Sequence, residues 1–557
     1  MSLRIGLVVA LGLAVGAQPL RSLKTLAVPA TPGLDAFVRD REALIALGKA
    51  FFWDMQAGSD GRTSCATCHF HAGADHRSQN QIADPNNAFP ANLRLTMDVF
   101  PLRQLADPGN RASTVLRDSA MRVGSAGTFR RLFKGAVPGE AAETGEEALD
   151  HPEFMLGEWQ VRRVTARNSP SVINAAYYQR GFWDGRAARI FNGFTPSGLA
   201  ADAPGALVLR DGRLVREAVR LDAASLASQA VGPILDHLEM SYGGRTWQDL
   251  GRKMFSLRPL GLQRVAADDS VLGRYSRGGE RGLVIGYLEL VRAAFQPAYW
   301  EATELVEGGY SQADVNFPLF WGLALQAYQS TLVSNDSPLD RFLDGDTSAL
   351  TAQEREGMQI FQTTGRCTTC HGGAELSAAG FTNGGGRGGG RAFQRTGVRN
   401  ASEDAGSGNG SFKSVGLRNI ELTGPYFHNG GTATLEQLVD FYARGGDFAN
   451  GAIRTFNVNA SQKAALVAFL RALTDERVRY ERAPFDHPEL CVPMGHVAAP
   501  AGGVFARASA ENWVGLAAVG AAGNAAPLQT FEELLRGVGG DGSRVNAMTE
   551  ACTAPLP

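Results

Sequence analysis

Two short stretches, SCATCH (64–69) and RCTTCH (366–371), each carry the pattern C-x-x-C-H. Cys65 and Cys68, like Cys367 and Cys370, stand three residues apart, which puts both thiols on one side of a helical turn. Thiols so placed can form thioethers to the two vinyl groups of one haem, and the next residue, His69 or His371, then offers its imidazole to the iron. A structural zinc site needs four nitrogen or sulfur ligands together, but the two pairs lie about 300 residues apart. A redox-active dithiol would sit beside a strand–helix–strand unit, and neither neighbourhood resembles one. The pattern predicts two covalently bound c-type haems. Haem alone does not make an enzyme, so catalysis must be argued from what faces each iron.

Both motifs are preceded by helical patterns. In DREALIALGKAFF the apolar Leu44, Leu47 and Phe51 recur at i, i+3 and i+7. In LTAQEREGMQIFQ, Thr351 and Glu354 form a capping box ahead of Met358, Ile360 and Phe361. A helix leading within a short loop into C-x-x-C-H, twice, is a weak internal repeat, and it predicts two small helical units in tandem. The polar, turn-rich LDGDTSALT (343–351) marks the boundary between them. The expected fold is mainly α: two cytochrome-c-like domains, 28–343 and 344–481, each with one covalent haem, and a C-terminal extension, 482–557.

Stretches at about 77–165 and 192–226 read as insertions of the first domain, with Asp211-Gly212 between apolar runs signalling a β-hairpin. NGGGRGGGR (383–391) reads as a loop.

A chain of 557 residues with 44% hydrophobic and 20% charged residues can bury more than one core, while a net charge of −2 provides no basic field for nucleic acid. Residues 1–17, a basic start followed by an apolar run and small residues, read as a secretory signal peptide, which predicts a periplasmic or otherwise exported protein. The run is shorter than the roughly 20 residues of a spanning helix, so no membrane span is expected after cleavage. Trp513–Leu528, rich in Gly and Ala, reads as a packed helix or a loop. In an oxidising compartment Cys491 and Cys552, the cysteines outside the motifs, are expected to pair.

RNSPSVINAAYYQRGFWDGRA (167–187), SQAVGPILDHLEM (228–240) and FKSVGLRNIELTGPYFHNGGTATLEQLVDFY (412–442) resemble, together with the two haem motifs, the bacterial di-haem cytochrome c peroxidase and MauG family. The resemblance does not reach most of 77–165, the stretch 192–226 or the C-terminal extension. It implies a peroxidatic haem at His69 and an electron-transfer haem at His371. Carried over by position, it makes Glu239 the distal acid/base, accompanied by Gln229 and Pro233, and makes Trp183 the tryptophan between the haems. Tyr442 falls where the peroxidases of the family have an axial Met and the MauG-like members a Tyr. An oxygen ligand of that kind stabilises ferric and higher oxidation states, whereas a thioether raises the potential. Were Tyr442 only a core residue, Met494 or His428 would have to serve instead.

The resemblance also implies a calcium ion held by Asn168, Thr423 and Pro425, a hard-oxygen set. Neither His71 nor His76 can be matched to the distal His of family members that need reductive activation, so the first haem is expected to be open at rest. The expected activity is peroxide reduction at the first haem, with hydrogen peroxide as substrate. The donor would be a small c-type cytochrome or cupredoxin, or an oxidised protein side chain. A non-catalytic electron-transfer cytochrome and a rubber-oxygenase-like dioxygenase are the alternatives.

Overall fold

A computed structural model describes residues 18–148, 152–383, 391–449, 451–500, 508–538 and Cys552. The expected signal, 1–17, and nearly all of the glycine-rich run lie outside the described residues, as does most of the chain after 538.

Asp40 caps the helix Arg41–Trp53 through its side chain, and Leu44, Leu47 and Phe51 are the fully buried stripe that the periodicity requires. Its partner is the apolar helix Phe317–Gln329. The backbones cross at Gly48, where a Cβ would stand 1.9 Å from Ala324 O and 2.8 Å from Tyr328 Cβ.

In the second half the helix Ala352–Gln362, with the Thr351/Glu354 capping box in place, crosses Ala460–Arg471 at Gly357. A Cβ there would stand 2.0 Å from Ala465 O and 2.7 Å from Phe469 Cβ. One turn on from each glycine an aromatic ring meets its counterpart: Phe52 with Tyr328 at 5.4 Å, and Phe361 with Phe469 at 5.2 Å. The two crossings therefore repeat residue for residue.

Each crossing sits in its own hydrophobic core. The first runs from Val38 to Leu332 and takes in the helices Ser225–Ala230, Trp247–Ser256 and Tyr287–Ala294. The second runs from Leu339 to Leu473 and includes Leu435–Ala443. The ends of the described chain cross over. Leu20 packs into the second core, whereas Val478, Phe485, Leu490, Val492, Leu516 and Leu528 complete the first. Lys49, fully buried, bonds Asp269 at 2.8 Å and Asp486 at 3.1 Å, so one buried cation ties the first helix to the C-terminal extension. Removing one partner of such a group typically costs about 3–5 kcal/mol. Cys491 and Cys552 form a disulfide.

Outside the helices, which are mostly short, the strands among the described residues pair as eight two-stranded antiparallel sheets. The expected hairpin is Ala206–Arg210 with Arg213–Glu217, turned by Asp211 and Gly212 at φ 48 and 76. The stretch 77–165 holds several small hairpins, among them Arg103–Leu105 with Val115–Asp118 and Arg131–Gly135 with Thr144–Glu147. Trp513–Leu528 departs from expectation. Its first residues belong to the strand Ser509–Leu516, which pairs with Leu490–Pro500, and turns follow. Gly and Ala there are set by a partner strand that local periodicity does not reveal. No helix among the described residues is long and apolar enough to cross a membrane.

Candidate active site

Cys65 opens the short helix Ala66–His69 and Cys367 the helix Thr368–His371. All four thiols are free, and burial pushes Cys65, Cys68 and Cys367 up to about 12. The two histidines are held alike. His69 Nδ1 lies 2.9 Å from Gly73 O and His371 Nδ1 3.2 Å from Leu376 O. A carbonyl can only accept, so each ring is protonated at Nδ1 and leaves the Nε2 lone pair for a metal. Burial holds both imidazoles below their ordinary pKa and keeps them neutral. Free paired thiols beside a neutral, oriented imidazole, in duplicate, fit a covalently attached haem at each motif.

Glu239 lies near the first motif. It follows the turn Pro233–Leu235, where its backbone N–H is taken by Asp236 O at 3.2 Å. Its carboxyl, half-buried, makes no hydrogen bond among the described residues, yet its charge acts on both Cys65 and Cys68. Burial, reinforced by Asp236 and opposed by Arg186, pushes Glu239 up to about 7. A carboxyl poised there can take and return a proton near neutrality.

The insertion 77–165 supplies a wall of this site that the sequence did not disclose. A Cβ on Gly127 would stand 2.1 Å from Leu238 O and 2.4 Å from Glu239 O, so the insertion lies directly on the Glu239 backbone. Arg77 Nη2 reaches Cys68 Sγ at 3.4 Å and Ala126 O at 3.0 Å. Arg162, buried, fastens this wall by bonding Gly127 O at 2.9 Å, Asp60 at 2.6 Å and Glu511 of the C-terminal hairpin.

Around the second motif lies a cavity of about 700 Å³ lined by Cys367, Cys370, His371 and Tyr442, and also by Trp183, Gln229, Asn168, Thr423, Pro425 and His428. Tyr442, on the helix Leu435–Ala443, is pushed well above its ordinary pKa by burial and then by the Cys370 and Cys367 thiols. Its hydroxyl makes no hydrogen bond among the described residues. Met494 is occupied elsewhere, accepting Ser78 N–H at 3.4 Å. His428 stacks on Phe412 at 3.6 Å and is pushed down to about 3 by burial.

Cations exceed anions around this cavity. Arg366, Arg391 and Arg454 have no ion pair among the described residues, and Lys413, buried, reaches only Arg180 O at 3.3 Å and the face of Tyr178. Burial pulls Lys413 down to about 8. The surplus suits the two propionate carboxylates of a haem. These residues were not singled out in the sequence, because charges spread over ninety positions form no motif.

Trp183 stands where the halves meet. Its Nε1–H donates to Asn168 O at 2.8 Å and its own carbonyl accepts Lys413 N–H at 2.8 Å. Gln229 Oε1 accepts the N–H of the preceding Phe182, which has φ 58, at 3.2 Å. Gln229 therefore fixes the turn that carries Trp183. Pro233 opens the turn leading to Glu239. Asn168, Thr423 and Pro425 line one cavity, though no cluster of three or more acidic, His or Cys ligands occurs among the described residues. His71 and His76 stack on each other at 3.7 Å.

Residues 42–258 match the family model described as di-haem cytochrome c peroxidase. The chain is 35% identical over 191 residues to cytochrome-c peroxidase IdrP2 of Denitromonas iodatirespirans, covering 30% of this chain and 52% of the relative. It is 31% identical over 166 residues to methylamine utilization protein MauG of Methylorubrum extorquens, covering 28% and 43% respectively. It thus spans about half the length of these curated relatives. A solved structure, described as a MauG-like protein associated with microbial copper homeostasis, is 20% identical, covers 85% of this chain and 97% of its own, and gives a TM-score of 0.43.

Proposed function

Because residues 42–258 match the model of the di-haem cytochrome c peroxidase family, we propose that this chain is a peroxidase-type oxidoreductase that reduces hydrogen peroxide to water beside Glu239. The first haem would be held by Cys65, Cys68 and His69, the second by Cys367, Cys370, His371 and Tyr442. Each would supply an iron that exchanges electrons one at a time. The chain's own residues move the protons and fix the route between the sites.

Reduction of one H₂O₂ to two waters consumes two electrons and two protons, and requires a proton to pass from one peroxide oxygen to the other as the O–O bond breaks. Glu239 is the group for that transfer: as carboxylate it accepts the proton, and as carboxylic acid it returns it. Pro233 opens the turn that positions it, Gln229 holds the turn that carries Trp183, and Trp183 carries electrons between the halves. Tyr442 as an oxygen ligand would make the second site a ready donor, as in MauG-like members. The first site would be open at rest, without reductive activation. Asn168, Thr423 and Pro425 would hold a calcium ion where the halves meet. Electrons would come from a small c-type cytochrome, a cupredoxin or a protein side chain, in the periplasm or another exported setting.

The observation that carries this reading is the Glu239 carboxyl, without a hydrogen bond among the described residues and near enough to both thiols of the first motif for its charge to act on them. Electron paramagnetic resonance of the resting, haem-loaded protein tests it. One high-spin and one low-spin ferric signal are expected; two low-spin signals would leave only an electron carrier.

A further inference from the structure

A groove remote in sequence from both motifs has no part in the chemistry above. It is formed by Ser256–Arg264 and the hairpin of Ser276–Arg277 with Glu280–Leu283, and encloses about 620 Å³. Four arginines line it, Arg258, Arg264, Arg277 and Arg281, against one acidic residue, Glu280. Glu280 pairs with Arg277, and Arg264 lies 3.5 Å from Glu489. Arg258 and Arg281 meet no carboxylate among the described residues, and Arg281 Nη2 is buried without a hydrogen-bond partner. Like charges crowded in this way repel unless an anion joins them.

The guanidinium forks are held in place by the main chain. Arg258 Nη1 donates to Leu283 O at 2.9 Å, Arg264 Nε to Gly279 O at 3.0 Å, and Arg277 Nη1 to Arg281 O at 2.9 Å. Gly282, at φ +82, has no Cβ to obstruct Arg258, whose Cδ lies 2.4 Å from where that atom would stand. The turn is therefore shaped around the arginine stem. Each of these three forks uses part of its five N–H donors on the backbone, and Arg258 keeps the rest for a ligand.

We propose that this groove binds a small polyanion bearing two or more phosphate-type groups, gripped by Arg258 and Arg281. Planar forks match tetrahedral oxyanions in bidentate fashion, and the volume far exceeds one such group. Among the described residues no aromatic side chain lines the groove, so none there would stack a nucleobase.

Calorimetric titration of the intact, haem-loaded protein with pyrophosphate tests the proposal, with inorganic phosphate and citrate as separate arms. One pyrophosphate per chain is expected, at least tenfold tighter than phosphate and tighter than citrate, weakening as salt is raised. Arg258→Gln and Arg281→Gln should each weaken it at least tenfold while the haem absorbance and far-ultraviolet dichroism stay unchanged. Arg258→Lys keeps the charge without the fork and serves should the Gln variant fold poorly; it should also weaken binding. Absence of binding at millimolar pyrophosphate, preference for citrate, or unchanged affinity in all variants that fold would overturn the proposal.

Discussion

The Trp183 indole donates to the Asn168 carbonyl at 2.8 Å, the Trp183 carbonyl accepts the Lys413 N–H at 2.8 Å, and the N–H of the preceding Phe182 donates to Gln229 Oε1 at 3.2 Å. A tryptophan held from three directions has one orientation. Trp183→Phe keeps the ring volume roughly but loses the indole hydrogen bond, for which about 0.5–1.5 kcal/mol of stability is expected. Donor-driven peroxide turnover should slow at least tenfold while the haem absorbance is retained. Stopped-flow reduction measured haem by haem checks this, and an unchanged inter-haem rate would remove Trp183 from the route.

Glu239→Gln should lower kcat by about 10²–10⁴-fold, the usual worth of a positioned acid/base. In the wild type the group must be ionised to accept the proton, so activity should rise with pH through about 7, a limb that the Gln variant lacks. Stability moves the other way. The folded pKa is raised above the ordinary 4.5 of a glutamate, so the contribution is full below about 4.5 and is lost as pH climbs through about 7. Paired pH–rate and pH–melting curves of the two proteins test both signs.

Gly127→Ala places a methyl group against Leu238 O and Glu239 O, neither of which belongs to a yielding side chain. Overpacking of this kind costs about 1–3 kcal/mol. If the insertion positions Glu239, the pH limb of activity should shift with it; a fall in melting temperature with an unmoved limb would make the wall merely structural.

Replacing Tyr442 by Met should raise the midpoint potential of the second haem on the order of 0.1 V or more, within the roughly 0.8 V span that axial ligands command. Spectroelectrochemical titration reads this directly. No change would mean that Tyr442 is packing, not a ligand.

The Cys491–Cys552 bridge spans a separation of 61 residues, for which chain entropy gives about 4 kcal/mol. Replacing both with Ser should lower the melting temperature and expose the paired strands Leu490–Pro500 and Ser509–Leu516 to protease first, which limited digestion would reveal.

The sequence disclosed what rests on local pattern. The stripe Leu44, Leu47 and Phe51, the Thr351/Glu354 box and the Asp211-Gly212 turn are each settled by neighbours within a few residues. Both haem motifs were legible for the same reason, and Glu239, Trp183 and Tyr442 only through resemblance to a family. Contacts between distant segments stayed hidden. Nothing near Ser509–Leu516 announces a strand whose partner is Leu490–Pro500, and nothing in 77–165 says that Gly127 will rest on Glu239. The cations Arg391, Lys413 and Arg454 likewise converge only once the chain is folded.

The exchange of chain ends between the two cores bears on how the protein matures. Because Leu490–Pro500 lies on the Ala66–His69 helix, a nascent chain leaves that helix uncovered until residues 490–500 have been made. The thiols are thus within reach of an attachment apparatus early, and sealed in afterwards by that later segment. Loading would precede closure, and a chain stopped after residue 481 should acquire haem at both positions yet shed its first half to protease.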